Sequence, residues 1–370
     1  MTTQHIETLV IGGGQAGLAT AYHLKRLGRE CLVVDAGERI GDNWRRHWDS
    51  LTLYSPAKYD GLPGLPFPGD KWRFPGKEEV ADFLERYAVH HDLPVRLRTS
   101  VDRLTARDGG GFVAHLGSAT IDCDNVVVAT GTFGRTPNVP AFAGGLSPSI
   151  RQWHSTGYRN PRQLAPGPTL VVGASHTGCD LAYEIAADRP TILAGPDRGQ
   201  VPLHWDSPLF KVAIPIIVFA WLHVLTRRTP MGRKQFAAVR GHGAPMLRVK
   251  RQHLAERGVE RITEKVTGAS PDGRPVLAGG RVLDVANVIW CTGFRQDFGW
   301  IDLPITGEGG WPDEYRGVTE SVPGLFFCGL AFQYAFGSMV LPGVGRDAAY
   351  VARHIADRAR NRADAPAPAR

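Results

Sequence analysis

The sequence predicts an α/β protein with two Rossmann-like dinucleotide-binding domains, and two observations carry that prediction. Near the N-terminus a β-branched apolar run meets a glycine-rich turn and then a helical pattern, and the same order returns about 160 residues later. Each copy is followed by a buried strand ending on a small-residue turn, at 126–131 and at 288–293. A length of 370 residues leaves room for two domains with a core in each.

The first copy sets an apolar strand at 7–11 against Gly12-x-Gly14-x-x-Gly17 and a helix over 18–27. In such a turn one glycine makes the bend, the second lets a pyrophosphate approach the backbone, and the third lets helix pack on strand. The next strand, 30–34, ends in Asp35, where an acid would meet a ribose hydroxyl. Residues 78–91 read as a helix with Val80, Phe83, Leu84 and Tyr87 on one face.

The second copy has a strand at 169–172, then Gly173, Ser175 and Gly178, a helix through Tyr183 and Ile185, and a strand at 191–193. Ser175 stands where a middle glycine is usual; it is small enough to keep the approach open. Beyond the strand, Arg198 suits a ribose 2′-phosphate and Asp197 a free 2′-hydroxyl. Residues 212–225 are almost continuously apolar, and 227–251 then hold eight Lys/Arg with no acid. At 14 residues with Pro215 inside, the apolar run is short of the ~20 needed to span a bilayer, which leaves a buried helix or an interfacial one. A strand at 324–329, a helix over 346–358 and a frayed Ala/Pro-rich tail complete the chain.

Hydrophobic residues at 43% and charged residues at 21% exclude a disordered or collagen-like chain. Cys31, Cys123, Cys179, Cys291 and Cys328 are scattered with no C-x-x-C pair, so a disulfide framework, a zinc site and a dithiol centre are not expected, and no metal is. The formal charge of +7 favours anionic partners, whether nucleic acid, membrane surface or phosphate-bearing cofactors; no recognition motif supports nucleic acid. No leader precedes the first strand, so a cytoplasmic, possible membrane-peripheral location is expected.

A series of motifs then points to a family. They are the first glycine turn, Gly41-Asp42-Asn43-Trp44-Arg45-Arg46, Asp49-Ser50-Leu51, Tyr59-Asp60-Gly61-Leu62-Pro63 and Ala129-Thr130-Gly131. Further on come Phe142-Ala143-Gly144 with His154-Ser155-Thr156-Gly157-Tyr158, the second glycine turn, Cys291-Thr292-Gly293-Phe294 and Gly343-Val344-Gly345-Arg346-Asp347. In this order the chain resembles the class B, flavin-containing monooxygenase-like flavoproteins, in the bacterial branch of potassium-transport-associated flavoproteins. The resemblance implies a discontinuous FAD domain, 1–150 and 290–370, interrupted by an NAD(P)H domain at 151–289. It implies cofactor contacts from Gly12, Gly14, Gly17, Asp35, Gly41, Trp44, Thr130, Gly131, Gly343 and Asp347, and from Gly173, Ser175, Gly178 and Arg198 in the inserted domain. The last helix would turn its N-terminus toward the flavin.

The implied activity is hydride transfer from NADPH, with NADH as the alternative, to FAD, followed by oxygen activation as a flavin C4a-(hydro)peroxide. One oxygen atom then enters a small nucleophilic, N- or S-containing, or carbonyl substrate. Tyr54, His154 and Tyr158 are the catalytic candidates by resemblance. Tyr54 stands where animal relatives carry Asn, and Tyr158 where Baeyer–Villiger relatives carry Trp, which tilts the expectation toward nitrogen or sulfur. The Gly144 to His154 spacing is longer than the strict pattern, and His154 is equally a hinge residue that packs. Trp44, Trp48, Tyr54 and Tyr59 are either pocket wall or core. Two other readings stay open, an NAD(P)H:acceptor reductase of quinone type and a non-catalytic redox sensor. The missing C-x-x-C, and Leu330 after Gly329 where disulfide reductases place Asp, disfavour a thioredoxin-reductase form.

Overall fold

The computed structural model describes residues 3–363 apart from 133–135, 204, 206 and 242–244. The tail from 364 onward, expected to fray, lies outside the described residues. The chain opens with β1 (Thr3–Ile11), α1 (Gln15–Arg26) and β2 (Cys31–Val34). β1 starts earlier than its apolar run because Gln4 and His5 are held by pairing with the strand that carries Ile121 and Asp122, which needs no apolar pattern. A short α2 (Asp42–Arg45) and a long loop lead to α3 (Lys77–His90), which buries Val80, Phe83, Leu84 and Tyr87 as the helical spacing requires. β3 (Val95–Arg96), β4 (Arg103–Ala106), β5 (Phe112–Leu116) and β6 (Ala119–Val128) follow.

β7 (Thr136–Pro137) leads into β8 (Arg151–His154), β9 (Thr169–Val172), α4 (His176–Ile185) and β10 (Thr191–Ala194). The apolar segment is α5 (Phe210–Phe219), which continues as one π-helical turn over Ala220–Val224. Then come α6 (Pro230–Gly241), α7 (Arg251–Glu256), β11 (Glu260–Ile262), β12 (Val266–Ala269), β13 (Pro275–Leu277) and β14 (Asn287–Trp290). β15 (Phe294–Arg295) pairs antiparallel with β7, so the chain leaves the first sheet and returns to it through one two-stranded ribbon. β16 (Leu325–Phe327) and α8 (Leu341–Ala363) end the described chain.

The first sheet runs β3-β2-β1-β6-β5-β4, with β16 also on β6. β6 gives one edge to β1; its other edge is divided, residues 119–123 pairing with β5 and 126–128 with β16. One face is covered by α1, α3 and α8 through Leu18, Phe83, Tyr87, Val344 and Ile355, and the other by Leu104, Phe112, Ile301 and Ile305. The second sheet, β11-β10-β9-β14-β8, is parallel throughout and packs Cys179, Leu181, Ile185 and Leu254 on one face and Val266, Leu277 and Trp290 on the other. Parallel strands buried on both faces explain the continuous Val/Ile/Leu runs.

α8 begins five residues before the expected start, at Leu341. Pro342 sits in its first turn, where the missing N–H costs nothing. The glycines after it permit contact rather than break the helix: a methyl on Gly343 would overlap the Gly337 carbonyl, and one on Gly345 would lie 2.5 Å from Pro63 Cγ.

The two sheets repeat one register. Ile11 lies beside Val34 and Val128, and Val172 beside Ala194 and Trp290. Gly12 N–H donates to Val34 at 2.8 Å and Gly173 N–H to Ala194 at 2.8 Å. Both glycines have φ near +110°, and a side chain on either would strike the carbonyl of the next strand's exit, Ala129 or Cys291. A methyl on Gly17 or Gly178 would overlap the carbonyl oxygen of Gly12 or Gly173, whereas one on Gly14 meets nothing within 4 Å. Gly17→Ala is therefore expected to lower stability by about 1–3 kcal/mol or more, and Gly14→Ala to leave it near wild type, by urea unfolding of the cofactor-free protein.

Candidate functional site

The two glycine turns each end at the N-terminus of a helix that lacks a side-chain cap, and neither α1 nor α4 has an acid in its first turn. Their first N–H groups and the positive end of each dipole thus face outward beside Gly14 and Ser175, as an anion-binding cradle requires. The Ser175 hydroxyl lies 3.3 Å from His176 Nδ1.

The register matches Asp35 with Gly195, the first residue after β2 and after β10, and here the copies differ. Asp35 accepts hydrogen bonds from Gly13 N–H at 2.6 Å and Gly37 N–H at 2.7 Å, which fixes a carboxylate at the lip of the first cradle. Gly195 offers none, and its φ of +134° disfavours any side chain. Next to it Asp197 is occupied, accepting from Gly199 N–H at 2.8 Å and from Arg251 Nε at 2.9 Å; these bonds hold its carboxyl below the usual range. Arg198 is exposed and has no partner among the described residues, and Arg261 Nη2 donates to the Gly195 carbonyl at 2.6 Å. The first lip is acidic and the second basic.

The 52–63 loop runs from the start of α4 to the start of α8. At one end the Tyr54 hydroxyl donates to Asp180 Oδ2 at 2.6 Å and the Tyr54 ring meets His176 edge-on at 5.2 Å. At the other, Pro63 lies against Gly345. Burial raises the Asp180 carboxyl to about 6, against the opposing Tyr54 hydroxyl and Arg248, and lowers His176 to about 4, so the histidine is neutral. Between these ends Asp60 is fully buried; burial lifts it to about 7 although Ser55 Oγ donates to it at 2.5 Å. Asp60 Oδ2 and the Tyr59 hydroxyl are buried without a partner.

Over this loop lies an aromatic lid. Trp205 Nε1 donates to the Tyr54 carbonyl at 3.0 Å, and Trp205, Phe210, Ile214 and Val218 pack with Tyr59, Trp72 and Phe74. Trp221 contacts Phe336, and Arg346 Nη1 donates to the Leu222 carbonyl, which closes the lid onto the start of α8. A buried carboxylate roots the segment that follows: Glu314, with no exposed side chain, accepts from Arg227 and Arg240 at 3.0 Å each and from Gly317 N–H at 2.7 Å.

The other expected residues fall as follows. Gly41 has φ +86° and brings α2 onto Ala81; Trp44 packs against the cores of both sheets. Thr130 and Gly131 lie at the exit of β6, and Gly131 (φ +77°) matches Gly293 (φ +78°) at the exit of β14. His154 is half-buried; its Nε2–H donates to the Gly293 carbonyl at 3.0 Å and Nδ1 lies 3.0 Å from Thr156 Oγ1, so it pins the linker to the β14 exit. Tyr158 is fully buried and donates to Glu184 at 3.0 Å, holding the linker on α4. Gly343 lies in the first turn of α8, against Gly337. Asp347 is 1% exposed, with Arg346 Nε 3.7 Å from its Oδ1, and burial raises its carboxyl against the opposing Ser338 and Arg346. Asp180, His176 and Glu314 were not singled out from sequence, and Asp60 was named only within the Tyr59–Pro63 motif, with no role; Asp180 and His176 lie one turn apart on α4, and that spacing beside the second glycine turn was the signal available.

All five cysteines are buried and unpaired. Burial raises Cys31 to about 11 and Cys179 to about 12, which disfavours the thiolate needed for disulfide exchange.

Comparison with known proteins adds a family. A profile of pyridine nucleotide-disulphide oxidoreductases matches residues 9–194. The chain is 37% identical to an uncharacterized CzcO-like oxidoreductase of Geobacillus kaustophilus (strain HTA426), over 95% of this chain and 99% of that protein. Its fold is similar to a flavin-containing monooxygenase from Stenotrophomonas maltophilia, with TM-score 0.77, 24% identity, and 96% and 99% of the two chains covered. It is also similar to OTEMO complexed with FAD and NADP, with TM-score 0.67, 16% identity, and 97% and 87% covered.

The raised Asp180 carboxyl has a pH consequence. A folded-state value near 6 against 3.8 means the folded protein holds this proton more tightly, so the contribution is full below pH 4 and is lost as pH rises through 6. Relative to Asp180→Asn, the wild type is expected to lose up to about 3 kcal/mol between pH 4 and 7. His176 titrates in both proteins and cancels. A flat difference in urea stability across that range would count against the buried pair.

Proposed function

Because the chain belongs to the pyridine nucleotide-disulphide oxidoreductase family, in its flavin monooxygenase-like part, we propose that it oxygenates a small, uncharged nitrogen- or sulfur-containing nucleophile. It is an enzyme, an oxidoreductase that uses FAD and NADPH. The observation that carries the substrate reading is the aromatic lid over the 52–63 loop, which joins the start of α4 to the start of α8 and whose Tyr59, Trp72 and Trp205 rings lie under the ammonium groups of Lys58, Lys211 and Lys250, a lining that favours an uncharged nucleophile over a protonated amine.

The residues fit both cofactors. The uncapped start of α1, the empty space beside Gly14 and the Asp35 carboxylate suit the pyrophosphate and ribose of FAD. The start of α4 beside Ser175, with no acid at Gly195 and an exposed Arg198 without a partner among the described residues, suits NADPH and its 2′-phosphate. When bound, NADPH supplies a hydride to the flavin, and the reduced flavin activates dioxygen so that one atom enters the substrate and the other leaves as water.

The protein's own part is position and exclusion of water. Trp205, Phe210 and Trp72 cover the loop, the neutral His176 and the Tyr54–Asp180 bond hold α4 against it, and Arg248 donates to Thr52 Oγ1 at the start of the loop. Asp60, raised to about 7, is a buried group that can hold or release a proton near neutral pH beside the lid.

The test is a balance of oxygen, NADPH, peroxide and product with tertiary amines and thioethers. The expected result is one oxygenated product per NADPH with little peroxide. Quantitative release of peroxide with every amine and sulfide untouched, or electrons passing to a quinone instead, would overturn the reading. Arg198→Ala is expected to raise KM for NADPH by roughly tenfold or more and to leave KM for NADH within about twofold, in steady-state NAD(P)H oxidation.

A further inference from the structure

α5 is apolar on two opposite faces, and only one of them is covered. Phe210, Ile214 and Val218, spaced four apart, turn inward onto the aromatic lid. Leu209, Val212, Ile216 and Phe219, spaced three and four apart, form a row on the other side, exposed by 70%, 68%, 67% and 59%. Met231, at the start of α6, adds a further apolar side chain exposed by 59%. A contiguous row of this kind on a surface helix marks a contact surface rather than scattered exposure.

The charge around the row selects its occupant. Residues 207–255 contain no Asp or Glu. Of their cations, Arg227 and Arg240 are held by Glu314 and Arg251 by Asp197, while Lys211 on α5, Arg228 before α6, and Arg233 and Lys234 in the first turn of α6 beside Met231 in sequence are exposed. A second copy of the chain meeting this face about a two-fold axis would bring like charges together. An anionic lipid surface accepts both components, apolar side chains below the headgroups and cations among them. No helix among the described residues is long and apolar enough to cross a membrane, so the contact is one of lying on the bilayer. We propose that the outer face of α5, with the basic start of α6, docks this protein on an anionic bilayer surface, directly over the lid of the candidate site.

The test uses the full-length, flavin-loaded protein and vesicles of phosphatidylcholine alone or mixed with phosphatidylglycerol. Co-sedimentation is expected with the mixed vesicles only and is expected to weaken at high salt. The double variant Ile216→Glu, Phe219→Glu is expected to lower partitioning at least tenfold, and Arg233→Gln, Lys234→Gln by roughly 10- to 30-fold. Both should keep their flavin and their circular dichroism, since all four side chains are exposed. Equal sedimentation of wild type and the Ile216→Glu, Phe219→Glu variant overturns the proposal. So does light scattering that shows a dimer, dissolved by that variant, with no binding to mixed vesicles; the face is then a seam between copies.

Discussion

The fold rests on four missing side chains. At Gly12, Gly17, Gly173 and Gly178 a single added carbon would overlap a backbone carbonyl. Only without it can each helix lie on the strand before it while its first N–H groups stay uncapped. The same packing that buries Leu18 and Leu181 in the two cores leaves a concentrated positive end at the surface of each unit. Core and cradle are therefore one constraint, and none of these four positions can be altered for one purpose alone.

Between the units the chain relies on groups removed from water. Asp180, Asp60 and Asp347 are all shifted toward the protonated form and His176 toward the neutral one, in each case chiefly by burial. Burial favours the uncharged form because a charge there carries the desolvation cost that a neutral carboxyl or imidazole avoids. Glu314 stays in the interior by accepting from two guanidiniums and a backbone N–H at once. The aromatic lid hangs between this ionic root and the Trp205 bond to Tyr54.

What the amino-acid order revealed was whatever depends on neighbours in the chain. The two strand, turn and helix units and the amphipathic α3 are local patterns, and they lie where periodicity and glycine spacing put them. Asp35 was visible because it ends a strand. Its counterpart Gly195 was not, since matching the two needs the register of β10 on β9. The Tyr54–Asp180 bond joins residues 126 apart, and the Arg227 and Arg240 bonds to Glu314 span 87 and 74. No local pattern encodes such partners. The start of α8 was hidden for another reason, because Gly343 and Gly345 read as breakers while serving as contact points for Gly337 and Pro63.

The divided edge of β6 orders the way the polypeptide is assembled. The five strands between 151 and 290 form a complete sheet from a continuous stretch, whereas the opening sheet lacks β16 until residues 325–327 have been made. During synthesis the last three residues of β6 therefore stand as a bare, apolar half-edge, the kind of surface on which strands of other chains add. The inserted unit has all its strands once residue 290 is made, and the first sheet only once residue 327 is.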